Sequence, residues 1–274
     1  MSANTFSPML KAIARKVLPF GVRRALRRRF RGSRGAQQGV PVSYDYGIIE
    51  GEVPPELLQG WQDQLVAEKQ HAAFAPLLRQ MYEGKPREDF LAVTTAVQMT
   101  GLEDPLIIEV GCGSGWNSEV LVHLLRRPIR YIGLDYSPAM TALGRQCYPD
   151  ARFVLGDATA LPFQDGTCDI LLSGTVLMHL LGHREAIQES RRVARKWCIL
   201  HTVPVVRNRP TTILKKFAYG SPVVEIVFNV EEFLKLIANN GLALRQVLES
   251  VPHDYLSHVL DESISVGTYL CEVT

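Results

Sequence analysis

A glycine-rich turn near the middle of the chain is the first stretch whose residues could do chemistry. The apolar run Leu106–Val110, which includes the acid Glu109, is followed by Gly111, Gly113 and Gly115, and a helical pattern then begins. Glycines at a strand-to-helix turn let the backbone turn tightly and let a ligand approach without meeting a Cβ atom. This stretch therefore predicts a ligand-binding loop at the end of a strand.

Two positions around this loop narrow the kind of ligand. A dinucleotide fingerprint would place its third glycine at position 116, which is Trp116, and no Gly-Lys-Ser/Thr of a P-loop follows. Asp135 ends the next apolar run, twenty residues after Gly115. A carboxylate there can accept hydrogen bonds from both hydroxyls of a ribose. The pattern disfavours a pyrophosphate cradle and favours a ribose contact, with a solvated acid at a strand end as the alternative for Asp135.

Four blocks of sequence, in a fixed order, resemble the class I S-adenosylmethionine-dependent methyltransferases. The resemblance is greatest to their small-molecule branch, the ubiquinone- and sterol-type enzymes with a domain of the methyltransferase 11 type, and it covers residues 102–274. One glycine motif alone is a weak signal, but four blocks with fitting spacing are a specific one. The blocks are EVGCGSG (Glu109–Gly115), GLDYSPAM (Gly133–Met140), GDATALPFQDGTCDILLS (Gly156–Ser173) and CILHTVP (Cys198–Pro204).

The resemblance implies that S-adenosylmethionine is the cofactor, and it gives individual residues their roles. Asp135 would accept from the ribose hydroxyls, Asp157 from the adenine amino group, and Ser173 would face the methionine moiety. Asp157 has an alternative as a turn or helix-capping residue. Glu109 lies either near the methionine amino group or in the organisation of the loop, and Cys112 supplies backbone contacts only. The implied cofactor-binding residues are Glu109, Gly111, Cys112, Gly113, Gly115, Asp135, Tyr136, Asp157, Ala158 and Ser173.

His179, six residues after Ser173, is the candidate catalytic base. Methyl transfer from a sulfonium is an in-line displacement, and alignment of the acceptor can supply about 7–11 kcal/mol of the barrier. A base is useful only when the acceptor carries a proton that must leave. A histidine that caps or packs the next helix is an equal alternative. O-methylation is favoured, and the Asn/Asp-Pro-Pro-Tyr/Phe motif of enzymes that methylate base amines is missing after Ser173.

The acceptor is expected to be a small molecule or a glycan or lipid precursor. The long segment before the helix at Glu231 would lie over the strand ends, where substrates are usually recognised. Its cations, among them Lys215 and Lys216, either suit an anionic acceptor or form a solvated face. Two other functions stay open: a module that binds S-adenosylmethionine without turnover, and an RNA methyltransferase that grips RNA with a basic arm. The acidic body of the chain disfavours the second.

Charge is distributed unevenly along the chain. The first 34 residues contain ten Lys/Arg and no acid, and the rest contains 20 basic and 28 acidic residues, a net charge of −8. Residues 6–30 have the basic amphipathic pattern of a helix on an anionic membrane surface, with a presequence or a disordered arm as alternatives. No apolar run approaches the roughly 20 residues of a membrane span. The five cysteines form no C-x-x-C pair, so the protein is expected to be cytoplasmic and without a metal site. A peripheral position on the membrane surface is the alternative that the basic segment leaves open.

The periodicity of the chain predicts the elements that position these residues. After residue 101, apolar runs alternate with helical patterns, as in a parallel sheet covered by helices. The expected fold class is doubly wound α/β, with a mostly parallel seven-stranded sheet of the Rossmann-like methyltransferase type and an N-terminal helical cap. Pro76 predicts a break in the first cap helix. We divide the chain into a basic segment and linker (1–46), a helical cap region (47–101) and a cofactor-binding domain (102–274).

Overall fold

The structure, a computed structural model, describes residues 43–251 and 255–274. The predicted membrane-surface segment, residues 6–30, lies outside these ranges. No helix within them is both long and apolar enough to cross a bilayer. The α-helices are α1 (Gln64–Tyr82), α2 (Glu88–Met99), α3 (Trp116–Leu125), α4 (Pro138–Cys147), α5 (His183–Val193), α6 (Val230–Asn239) and α7 (Ser257–Leu260). The strands are β1 (Ser43–Ile48), β2 (Leu106–Val110), β3 (Arg130–Asp135), β4 (Arg152–Leu155), β5 (Cys168–Gly174), β6 (Ala194–Val206), β7 (Thr212–Ala218), β8 (Ser221–Asn229), β9 (Leu242–Val251) and β10 (Ser265–Val273). Short 3-10 helices span Pro55–Leu58, Gly60–Gln62 and Leu177–His179.

A mostly parallel group of seven strands forms the centre of the sheet, as the sequence predicts. Its order is β4-β3-β2-β5-β6-β10-β9, and β10 is antiparallel to both of its neighbours. The parallel strands are buried on both faces, which is why they read as continuous apolar runs rather than alternating ones. Because these strands all run in one direction, the loops that follow them meet at a single edge of the sheet.

Helices cover both faces of this sheet and form two hydrophobic cores. On one face, Ile108 of β2 lies in the same cluster as Ile187 of α5 and Phe233 of α6. On the other face, Ile107 lies in a cluster with Val97 of α2 and side chains of α3. Successive residues of β2 therefore face opposite helix layers. Although α2 falls in the predicted cap region, it is a core helix of the sheet.

Three further strands widen the sheet beyond the seven predicted. The last pairing of β6 with β5 is at His201, and the continuation of β6 pairs with β8 through Val205 and Val206. The strands β7 and β1 then follow β8 in antiparallel order. The long segment before α6 is thus largely a β-hairpin, whose main-chain hydrogen bonds are satisfied within the sheet.

The end of the predicted linker is a strand. Residues 43–46 belong to β1, which pairs with β7, and Tyr44 stacks on Phe217 with ring centroids 5.3 Å apart. The linker interpretation of these four residues is therefore wrong. Their partner strand is far away in the sequence, and such pairing is not visible in local composition.

The predicted break at Pro76 is also wrong, because α1 continues through the proline. Before it, Phe74 stacks on Trp116 with ring centroids 3.8 Å apart. After it, Leu77 and Leu78 pack against the hydrophobic cluster that contains Trp116. These contacts on both sides hold the two halves of the helix in line and offset the hydrogen bond that a proline removes.

Candidate active site

The candidate residues meet at the carboxyl edge of the parallel strands. Near this edge β2 lies between β3 and β5, with Val110 opposite Leu134 on one side and Ser173 on the other. The end of β4 lies beside Asp135, so the loop that begins near Asp157 reaches the same edge. The sheet therefore brings together residues that are far apart in the sequence.

The glycine loop has a backbone conformation that other residues rarely adopt. The φ angles of Gly111, Gly113 and Gly115 are +70°, +56° and +88°, all in the left-handed region that favours glycine. A Cβ atom on Gly113 would lie 2.6 Å from the ring of Trp116, and one on Gly115 would lie 2.5 Å from the ring of Phe153. Both conformation and space thus require glycine here.

Asp135 ties this loop to the end of β3. Its Oδ2 accepts a hydrogen bond from the amide of Gly113, and its Oδ1 accepts one from the amide of Ser137, each at 2.9 Å. Burial raises the pKa of Asp135 to about 6, while backbone hydrogen bonds from Ser137, Gly113 and Tyr136 act in the opposite direction. A carboxylate has about four acceptor positions, so Asp135 can accept further donors.

Glu109 is enclosed beneath the loop. Its Oε1 accepts from Asn117 Nδ2 at 2.7 Å, and its Oε2 accepts from the Tyr131 hydroxyl. Burial raises the pKa of Glu109 to about 7, although these two hydrogen bonds lower it. A Cβ atom on Gly174 would lie 2.1 Å from Oε1, so the carboxylate fills the space beside β5. These contacts have the geometry of a residue that organises the loop, the second of its two predicted roles.

Cys112 and Ser173 are both buried at this edge. The Cys112 amide donates to the carbonyl of Leu134 at 3.1 Å, and its thiol donates to the carbonyl of Gly113 at 3.4 Å. Burial raises the pKa of the Cys112 thiol well above its ordinary value. The thiol is therefore neutral and buried, and the backbone contacts of Cys112 with a cofactor stay a prediction.

The residues predicted near adenine lie on the next two loops. Asp157 is exposed, and its Oδ1 accepts from both the amide and the hydroxyl of Thr159 at 2.8 Å, which is the predicted turn geometry. Ala158 is buried in the core. Tyr136 is partly buried, and its hydroxyl donates to the carbonyl of Leu58 at 3.4 Å. Tyr136 therefore joins this edge to the segment that precedes α1.

His179 lies in the 3-10 helix that follows β5, and its tautomer is set by one contact. Its Nδ1 lies 2.6 Å from the carbonyl oxygen of Val224, so Nδ1 carries the proton and Nε2 keeps its lone pair. Burial lowers the pKa of His179 to about 4, and Lys216 acts in the same direction, whereas Glu225 and the Val224 carbonyl raise it. The imidazole is therefore neutral across the physiological pH range.

A buried ion pair lies on the hairpin near His179. Lys216 of β7 pairs with Glu225 of β8, and the Tyr255 hydroxyl donates to the same carboxylate at 2.8 Å. The Lys216 and Glu225 side chains are 7% and 0% exposed. Lys216 is thus neither on a solvated face nor an unpaired cation for an anionic acceptor, and both predictions for it are wrong. Lys215 is exposed, as the solvated alternative predicts.

Sequence reasoning missed two side chains at this edge. Trp61 lies with its ring centroid 4.8 Å from that of His179, and Gln70 of α1 lies over Gly113. The indole Nε1 of Trp61 and the Oε1 of Gln70 are buried and have no hydrogen-bond partner among the residues that the structure describes. The available signal was weak: polar Gln70 and His71 interrupt the apolar pattern of α1.

Comparison with protein families identifies the central part of the chain. Residues 108–200 match the family described as "Methyltransferase domain". Residues 108–200 form a methyltransferase domain, and the match supports the class I S-adenosylmethionine-dependent family. The match begins within β2 and ends within β6, so this methyltransferase domain includes the glycine loop, Asp135 and His179.

Two curated relatives are named as methyltransferases. A probable S-adenosylmethionine-dependent methyltransferase of Mycolicibacterium smegmatis is 33% identical over 89 residues, 32% of this chain and 34% of that protein. The trans-aconitate 2-methyltransferase of Variovorax paradoxus is 27% identical over 172 residues, 61% of this chain and 64% of that protein. The chain thus spans about a third of the first relative's length and somewhat less than two thirds of the second's.

A solved structure shares the fold of the methyltransferase domain. The 1,6-didemethyltoxoflavin-N1-methyltransferase of Burkholderia thailandensis, solved with 1,6-didemethyltoxoflavin and S-adenosylhomocysteine, has a TM-score of 0.54 and 12% identity. The match covers 84% of this chain and 95% of that one. At this identity the likeness shows the fold alone, and it agrees with the predicted Rossmann-like class.

Proposed function

We propose that this protein binds S-adenosylmethionine at the carboxyl edge of its sheet and catalyses methyl transfer to a hydroxyl group of a small molecule. The observation that carries the proposal is the left-handed glycine loop hydrogen-bonded to Asp135. This arrangement gives a ligand close access to the backbone and provides a carboxylate for a ribose beside it. The methyltransferase domain supports the same conclusion independently.

The residues of the edge fit this cofactor. Gly113 has no room for a Cβ atom, because the ring of Trp116 and the oxygen of Gln70 already lie against it. Asp135 accepts from three backbone amides, which leaves one of its about four acceptor positions for a ribose hydroxyl. The oxygen of Gln70 is buried beside the loop and has no hydrogen-bond donor among the residues at 43–251 and 255–274. The cofactor would bring hydroxyl and ammonium donors into a site that has unused acceptors.

His179 is the residue we propose as the base. Its Nδ1 donates to the Val224 carbonyl, which leaves the Nε2 lone pair to accept a proton from the acceptor. Burial lowers the pKa of His179 to about 4, so it is a weak base and is matched to an acidic hydroxyl, such as a phenol or an enol. The adjacent indole N–H of Trp61 is a donor without a partner among the described residues. A hydroxyl both donates and accepts, and it therefore complements this pair.

The chain's part in the reaction is alignment and proton removal. When bound, the cofactor would supply the methyl group from its sulfonium sulfur. The rest of the cofactor would then be a neutral thioether, which is the leaving group. The acceptor oxygen forms the new bond to carbon, and its proton passes to Nε2 of His179. Glu109 keeps the glycine loop and the end of β5 in place through Asn117 and Tyr131. Because the donor is already activated, positioning accounts for most of the expected acceleration.

The proposed acceptor is a small molecule, in agreement with the name of the trans-aconitate relative. We further propose that residues 102–274 bind the cofactor and that the segment 47–101 contributes α1 and Trp61 as a cover over the strand ends. The contacts of α1 with Trp116 and of Trp61 with His179 support this role. Attachment to an anionic membrane surface through residues 6–30 remains a separate proposal.

Methyl transfer can be tested before the acceptor is known. The full-length protein is incubated with S-adenosylmethionine and with fractions of a cell extract, and S-adenosylhomocysteine is measured by mass spectrometry. We expect its formation to depend on the small-molecule fraction and to fall roughly a hundredfold in His179→Ala. Cofactor binding without turnover in every fraction would indicate a binding module. Turnover that depends only on the RNA fraction would contradict a small-molecule acceptor.

A further inference from the structure

Three side chains of α1 make contacts that hold the helix over the glycine loop. Lys69 Nζ donates to the carbonyl of Tyr219 at 3.1 Å, and His71 Nδ1 lies 2.9 Å from the hydroxyl of Ser114 within the loop itself. One turn further along α1, Phe74 stacks on Trp116. The helix therefore has a defined position over the loop, and residue 70 lies between the first two of these contacts.

The side-chain oxygen of Gln70 lies against the glycine loop. Its Oε1 lies 3.0 Å from the position that a Cβ atom on Gly113 would occupy. That oxygen is buried and has no hydrogen-bond partner in the described part of the chain. The amide of Gly113 is already used, because it donates to Asp135. Buried polar atoms are nearly always paired in native proteins, so this oxygen needs a donor other than those that the described residues supply.

The surroundings of Gln70 indicate what kind of donor would fit. At the same edge of the sheet, Asp135 accepts from three backbone amides, and Glu109 accepts from the Asn117 side-chain amide and the Tyr131 hydroxyl, all of them neutral donors. Both carboxylates are buried. The site thus holds two buried acids and one unused carbonyl oxygen, which favours a ligand that combines positive charge with N–H donors.

Resting on the proposed function, we infer that Oε1 of Gln70 accepts a hydrogen bond from the α-ammonium of the cofactor's methionine moiety. The nucleoside end of the cofactor has the Asp135 carboxylate as its acceptor, whereas the amino-acid end carries the ammonium with its three donors. Gln70 is then a binding residue for the amino-acid end. The α1 helix then both covers the loop and binds the amino-acid end of the ligand.

Two ligands that share the nucleoside distinguish this role from simple packing. S-Adenosylhomocysteine has the amino-acid end, and 5′-methylthioadenosine lacks it while retaining the adenosine and the thioether. Calorimetric titration of each ligand into the full-length protein is compared for wild type, Gln70→Met and Gln70→Glu. Methionine preserves length without the acceptor, and glutamate preserves an oxygen acceptor. Gln98→Met, on the exposed side of α2, is the matched control.

The expected result is a ligand-specific loss. Gln70→Met should weaken S-adenosylhomocysteine at least tenfold and change 5′-methylthioadenosine by less than twofold, as expected for one hydrogen bond to a charged group. Gln70→Glu should retain S-adenosylhomocysteine affinity to within threefold, and Gln98→Met should match wild type for both ligands. Equal losses of affinity for the two ligands in Gln70→Met would show that Gln70 acts only through packing. No loss for either ligand would show that Gln70 has no part in binding. Each of these would overturn the inference, whereas failure of the wild type to bind either ligand would overturn the proposed function as well.

Discussion

The amide of Gly113 donates to Oδ2 of Asp135 at 2.9 Å, which joins two loops that are 22 residues apart in the sequence. This single bond links the glycine turn after β2 to the acid at the end of β3. Ser137 holds the other carboxylate oxygen. The carboxylate is therefore oriented by the loop it helps to shape, and a change in either residue should alter both.

Replacement of Gly113 by alanine should destabilise the protein and weaken cofactor binding. The new Cβ atom would lie 2.6 Å from Trp116 in a backbone with φ of +56°, so the ring would have to move from its stack on Phe74. We expect a loss of about 2–4 kcal/mol in unfolding free energy, measured by urea denaturation. The matched control is Gly166→Ala, which has a φ of +59° but open space around the new atom. Equal losses in the two variants would show that backbone strain alone matters at Gly113.

The buried carboxylate of Glu109 should make the ligand-free protein less stable as pH rises. Burial raises the pKa of Glu109 from 4.5 to about 7, so the folded state binds its proton more tightly than the unfolded chain does. The resulting stability is present below about pH 4.5 and is lost as pH rises through 7. One such group changes the unfolding free energy by at most about 1.4 kcal/mol per pH unit. Urea denaturation at several values between pH 5 and 8 measures this slope.

Glu109→Gln should flatten that slope, because glutamine does not titrate. Glu103→Gln, at an exposed position, should leave the slope as in wild type. The two variants also differ in the contacts they lose, so the comparison uses the pH dependence and not the absolute stability. Parallel curves for wild type and Glu109→Gln would contradict a raised pKa at Glu109.

His179 should remain neutral and protonated on Nδ1 throughout the physiological range. Because burial lowers its pKa to about 4, the imidazole gains a proton only in acid, and the stability of its neutral form is lost as pH falls from 6.5 through 4. Nitrogen-15 NMR of labelled histidine, assigned with His179→Gln, would show one Nδ1–H tautomer that does not titrate between pH 5.5 and 8. A midpoint near 6.5 for this residue would contradict the buried environment and the weak-base proposal.

The basic segment at residues 6–30 should attach the protein to anionic vesicles. Each basic residue near such a surface contributes about 1 kcal/mol, and the interaction is screened by salt. In liposome flotation the full-length protein should float with anionic vesicles and detach at high salt. A truncated protein that begins at Val40 should remain in the soluble fraction and still bind the cofactor. The membrane proposal would be contradicted if the two proteins floated equally, or if neither of them floated.

The sequence predicts those features of the site that depend on local pattern. Gly113 and Asp135 stand at fixed positions after buried strands, where apolar runs and glycine are strong local signals. Lys216 could not be assigned in this way, because its partner Glu225 is supplied by the pairing of β7 with β8. Gln70 was missed for the same reason, since only the packing of α1 brings it over the loop. Long-range pairing and packing decide these positions, and neither has a periodic signature in the chain.

The central claim is that the glycine loop and Asp135 bind S-adenosylmethionine, and calorimetric titration of the full-length protein tests it most directly. We expect one site for S-adenosylhomocysteine with a Kd in the micromolar range, about −8 kcal/mol, and no binding of NAD. Asp135→Ala should weaken this binding at least tenfold, because it removes the ribose acceptor and releases the amide of Gly113, whereas Asp150→Ala at an exposed position should not. Absence of binding by the wild type, or an Asp135→Ala titration indistinguishable from wild type, would contradict the account.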